Sequence, residues 1–263
     1  MEWTRRARQN WNRRWRDPEL SRPGSGLRQL LSGEPTLEDD IRWGLSPDAQ
    51  PTASNVRRMI RLLGSRRAQD RLYAIAHLSD MGESAVAEVP AVVPALIRAL
   101  RCEGLADGEN WQSVLFRAGL ALSHMGNAAV PELIGTIQRD WREDRDANLG
   151  WGVTENALFE VIQALGWIGS QTGQTIDASV RSQVSSELCM VLGSLLQDQE
   201  RNRVRIGLVN VTIRALGEFG GPATTSLLQD ALNRWEEERS LEGVVGENVT
   251  RALFRITARM RRD

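Results

Sequence analysis

Along most of the chain the apolar residues recur three, four and seven positions apart, the period of one face of a helix. Four of these stretches run into the same five-residue ending, Leu-x-x-apolar-Gly: Leu78 to Gly82, Leu122 to Gly126, Leu165 to Gly169 and Leu216 to Gly220. The leucines stand 44, 43 and 51 residues apart, room for two helices and their connections in each unit. The pattern therefore predicts an array of helical hairpins, none of which can bury its apolar face alone, so that neighbours supply one another's core.

The register extends backwards from each leucine. Leu115-Phe116 and Leu158-Phe159 precede Leu122 and Leu165 by seven and six positions, and Leu253-Phe254 stands in that relation to Met260, which predicts a fifth copy ending at Met260. Alanines such as Ala74, Ala118, Ala164 and Ala215 let neighbouring helices approach closely. The terminal glycines are expected to stop their helices, because glycine enters the left-handed region without a Cβ clash. Apolar second helices are expected at Pro90 to Leu100, Pro131 to Ile137, Val180 to Leu196 and Ala223 to Trp235. Proline suits a first helical turn, where its missing N–H has no partner to lose.

Gln163-Ala164-Leu165-Gly166-Trp167-Ile168-Gly169, Arg214-Ala215-Leu216-Gly217-Glu218-Phe219-Gly220 and the run from His124 to Ile134 resemble bacterial HEAT-like repeats of the PBS-lyase type. The resemblance covers roughly residues 54 to 263 by the repeat period. It implies an all-α, right-handed α-solenoid of about five HEAT-like hairpins after an N-terminal helical extension, with repeats starting near 66, 110, 153, 204 and 247. The aspartate and valine-arginine pair that often open such repeats are mostly absent, with Arg71 alone at the expected place. Relatives in that class range from transport adaptors and phosphatase scaffolds to lyase subunits and DNA glycosylases, so architecture does not choose a function.

Composition divides the chain. Residues 1 to 31 carry eight arginines against Glu2, Asp17 and Glu19, a local +5 that leaves −6 on the remainder of a chain of net charge −1. Trp3, Ala7, Trp11 and Trp15 fall at steps of four and would make an aromatic stripe between arginines if helical; Pro18 and Pro23-Gly24-Ser25-Gly26 then end it. This reading separates an Arg/Trp-rich extension and linker, 1–31, from a repeat array, 32–263. Three roles stay open for the extension: a cap or partner-docking helix first, a nucleic-acid face second, a lipid anchor third. All 33 basic residues are arginine. Arginine-rich codon usage explains that more simply than selection against a modifiable lysine. No apolar run approaches the roughly 20 residues of a membrane span, and no apolar segment follows the opening arginines, so the expected location is the cytosol.

Candidate chemistry is sparse. His77 and His124 lie in successive repeat helices with no second ligand one turn on, and Cys102 and Cys189 have no partner at metal spacing, so both pairs read as packing residues and no metal or cofactor is expected. The catalytic assignment is none. Trp111, Trp141, Trp151 and Trp235 fall in or beside connections between units, where aromatic anchors serve binding. The expected function is a non-enzymatic scaffold or adaptor for another protein, using the concave face and the tryptophan-bearing loops. Its expected partner contacts are Trp3, Trp11, Trp15, Trp111 and Trp141. The alternative is a nucleic-acid-binding, glycosylase-like protein using the basic N-terminal region and Arg57, Arg58, Arg61, Arg66 and Arg67; Asp140 beside Trp141 is too little to name a catalytic acid. Oligomeric state is not legible here.

Overall fold

The computed structural model describes residues 51–101, 111–147, 152–171, 176–197, 206–237 and 242–261. Every regular element among them is helical, as the periodicity predicts. They lie within one compact unit, Gln50–Asp263. In chain order the helices are α1 (Ala53–Leu63), α2 (Ala68–Met81), α3 (Glu83–Glu88), α4 (Val92–Leu100), α5 (Trp111–His124), α6 (Val130–Ala147), α7 (Gly152–Ser170), α8 (Ala178–Gln197), α9 (Ile206–Phe219), α10 (Pro222–Glu237) and α11 (Glu242–Met260). A single 3-10 turn, Gly126–Ala129, leads into α6.

The helices form two rows. In one, α2 packs on α5, α5 on α7, α7 on α9 and α9 on α11. In the other, α1 packs on α4, α4 on α6, α6 on α8 and α8 on α10. The core lies between the rows: Leu78, Leu122, Leu165 and Leu216 are each fully buried there, with Ile137, Leu192 and Ile256. Burying one such side chain contributes roughly 1.5–3 kcal/mol, so the signature leucines act as the apolar pegs of the stack.

The signature glycines do more than end helices. Gly82 and Gly126 have positive φ, 53° and 59°, and the Gly82 N–H returns to the Leu78 carbonyl at 3.0 Å, as a helix stop requires. Gly169 and Gly220 do not have it; Gly169 lies inside α7. Gly169 is in contact with the next helix of the row, and Gly220 with both its own helix end and the next helix. A Cβ on Gly169 would sit 2.7 Å from Glu218 Cβ and from the Phe219 ring, and one on Gly220 would meet Leu216 O at 2.5 Å and Ile256 Cδ1 at 3.0 Å. Even at Gly82 a Cβ would reach the His124 carbonyl at 3.0 Å. At Gly82, Gly169 and Gly220 a neighbouring helix lies against the glycine, while Gly82 and Gly126 also need its backbone freedom.

Packing also corrects the register of the last helix. Gly166 lies against Ala215, the residue before signature leucine Leu216, and Gly217 lies in the same way against Ala252. The residue aligned with Leu216 is therefore Leu253, not Met260, and the corresponding pentapeptide is Leu253-Phe254-Arg255-Ile256-Thr257. Ile256 confirms this: it is buried against Gly220 as Phe219 is against Gly169. Thr257 stands at the glycine's place and the helix runs past it to Met260. The pattern misled because Leu253-Phe254 looks like Leu115-Phe116 while lacking the final glycine.

Two helix extents also differ from expectation. α1 is a helix of its own, with Val56, Met59 and Leu63 buried and Thr52 Oγ1 accepting from the Asn55 N–H at 3.3 Å. α6 continues to Ala147, because no glycine or proline interrupts residues 136–149.

Candidate interaction surfaces

The first surface is the exposed side of α1. Arg57 and Arg61, one turn apart, line an open depression of about 490 Å³ with Ser54, Ile60, Val89 and Ala91. Its walls thus combine guanidinium groups with apolar side chains from the turn between α3 and α4. Arg58 is half-buried on the same helix, and Arg66 and Arg67 are exposed in the turn to α2. Arg71 does not extend this basic run. It is buried, and its guanidinium donates to the Ser65 carbonyl at 2.6 Å. Ser65 Oγ in turn donates to Asp70 at 2.8 Å and accepts from the Arg67 N–H at 3.2 Å, so this turn is tied by its own side chains.

The second surface runs along α9 and α11, where the sequence offers repeat-frame residues and no candidate site residue. Arg214 is largely buried, and burial first, then the charges of Arg255 and Arg251, depress its guanidinium to about 10. Glu218 answers Arg255, and Glu247 answers Arg251 at 2.5 Å along the same helix. The C-terminal carbonyls of α9 collect further cations: Arg181 donates to Glu218 O at 2.9 Å, and Arg259 donates to Glu218 O and to Gly217 O, the latter at 2.7 Å. Positive groups belong at that end of a helix, where unsatisfied carbonyls concentrate negative charge. The signal lay in Arg251, Arg255 and Arg259, spaced by four on one face.

The only described serine–histidine contact between neighbouring helices of the row repeats that device. Ser79 Oγ lies 2.7 Å from His124 Nδ1, which also stands 3.2 Å from the Ser79 carbonyl. Ser79 is 5% exposed, closed to any substrate, so the pair is a tie between the end of α2 and the end of α5. Gln171 does the same one step on, donating from Nε2 to the Ser123 carbonyl at 3.1 Å. Three helix ends of this row are thus tied to a side chain from the next member: α2 by His124, α5 by Gln171 and α9 by Arg259.

Of the tryptophans expected to bind, Trp111 opens α5 and Trp141 lies within α6, so neither belongs to a loop. Trp235 likewise lies within α10. Trp3, Trp11 and Trp15, with Trp151 and Cys102, lie outside the described residues. Trp167 meets Phe116 edge-on at 6.0 Å, filling the space between α5 and α7. Cys189 is a free, half-buried thiol between Ser185 and Thr224, pushed up by burial despite those two hydroxyls. Among the described residues no three of His, Cys, Asp and Glu gather as a metal site, and no helix is long and apolar enough to cross a membrane.

No family model, curated protein or solved structure matches this chain. The functional reading accordingly rests on its own geometry.

Proposed function

We propose that this chain is a HEAT-like α-solenoid that serves as a non-enzymatic adaptor in the cytosol, holding another protein along its stacked helices. The observation that carries the reading is the ordered packing of two helix rows, each helix lying on the next, which leaves long faces of both rows for a macromolecular partner. Binding is favoured over catalysis here because the paired groups Ser79 with His124 and Glu218 with Arg255 tie helices together. Trp3, Trp11, Trp15, Trp111 and Trp141 remain the proposed aromatic contacts, the last two presented from helices rather than from loops.

A second reading has one observation in its favour. Arg57 and Arg61 are exposed beside Arg58, Arg66 and Arg67, a basic strip that suits phosphate. Affinity capture with the full chain from its native host, with and without nuclease, separates the two. The adaptor reading expects a protein retained after nuclease, and retained when salt rises from about 50 to 200 mM. A phosphate-held complex of six contacts loses on the order of a thousandfold over that range. Loss of all retained material on nuclease treatment would replace the adaptor with the nucleic-acid reading.

A further inference from the structure

Along the row α2, α5, α7, α9, the residue after each signature leucine faces the next helix and is small: Ser79, Ser123, Gly166, Gly217. In the corrected register of α11 that residue is Phe254, and it is 74% exposed. Two turns of helical stripe surround it. Glu247, Thr250, Arg251, Thr257 and Arg261 lie on the same side as Phe254 by their three- and four-residue spacing, and all are exposed. The opposite side, Val245, Val249, Ala252 and Ile256, is the buried one. A helix stacked on α11 as α11 stacks on α9 would meet the Phe254 side chain where α9 offers Gly217.

The stripe is, however, complementary to itself. When two copies of α11 lie antiparallel with Phe254 at the two-fold axis, residues whose numbers are equally far before and after 254 face each other. Phe254 then meets Phe254 of the second copy, and Glu247 meets Arg261 twice, once on each side of the axis. Thr250 faces Ala258, and Arg251 faces Thr257, so no like charges oppose. An exposed aromatic at the centre with charge pairs at the rim is the distribution of a binding hot spot.

We propose that a second copy of this chain docks on α11, giving a two-fold dimer centred on Phe254. This inference is independent of what the adaptor binds. Sedimentation velocity of the full chain over a concentration series, with circular dichroism to confirm unchanged helix content, tests it. The wild type should approach twice its 29.4 kDa as concentration rises. Phe254→Glu should weaken the dimer at least about 30-fold, the size of a central hot spot. Glu247→Arg and Arg261→Glu should each weaken it about fivefold, and the two together should restore it, because the swap rebuilds both rim pairs. A wild type that stays at 29.4 kDa overturns the proposal, as do open-ended assemblies larger than a dimer and a charge swap that fails to restore.

Discussion

The outward stripes of α9 and α11 are the same positions on two helices of one row, and they differ in what lies on them. On α9 and just past its end, Gly217 and Gly220 sit against α11, with no room for a Cβ at either. On α11 the matching residues are Phe254 and Thr257, both exposed. The difference teaches what the recurring motif means. Its glycine and its small residue fit the neighbour, and on α11, where no described helix of the row lies on the stripe, the chain carries an aromatic and a β-branched residue instead. Interiors packed to crystal density leave no other choice: a methylene too many in a covered contact forces side chains off their rotamers or the backbone aside.

The sharpest way to break the comparison is to move the phenylalanine across it. Gly217→Phe puts the α11 side chain where a Cβ alone would meet Ala252 Cα at 3.0 Å. Backbone is in the way rather than a flexible tip, so the loss in stability should be at least about 3 kcal/mol, the upper end of overpacking. Urea denaturation reads it, and limited proteolysis should show α10 and α11 released first.

A smaller, more discriminating test compares two glycines inside helices. Gly169→Ala places a methyl 2.7 Å from the Phe219 ring and should cost about 1–3 kcal/mol. Gly193→Ala, in α8, meets nothing within 4 Å and should stabilise by about 0.5–1 kcal/mol, since alanine is the better helix residue. Opposite signs in one denaturation series separate a packing glycine from an incidental one. Equal effects would mean that the contact at Gly169 relaxes freely.

Much of this was legible in the sequence. The three- and four-residue period announced helices, and the buried leucines of the motif are the ones the pattern marked. Second helices fell near their expected places because Val92 to Leu100 and Val184 to Leu196 are apolar on one face. What was not legible depended on partners in space. The glycines looked like helix stops, yet Gly169 and Gly220 answer to Phe219 and Ile256 some 50 and 36 residues away. The last copy is displaced by seven residues because a motif keyed to glycine cannot be found where Thr257 stands at the glycine's place. Arg71 stands at the place the repeat resemblance expects, but its hydrogen bond to the Ser65 carbonyl forms across a turn that the pattern does not specify. The arginines of α9 and α11 went unnoticed because each sits in an ordinary helix, and only packing brings Arg214, Arg251 and Arg255 together.

The central claim is that the signature glycine records a covering helix, and a reciprocal exchange measures it most directly. Gly169→Thr and Thr257→Gly trade the same two residues between the covered and the exposed stripe, each followed by urea denaturation. A Cβ at 169 would stand 2.7 Å from Glu218 Cβ and from the Phe219 ring, both on the next helix, so Gly169→Thr should lose about 3 kcal/mol or more. Thr257→Gly should lose no more than about 1 kcal/mol, the helix propensity of glycine. Similar losses at both positions would contradict the account, because the motif would then report the helix that carries it and not the one that covers it.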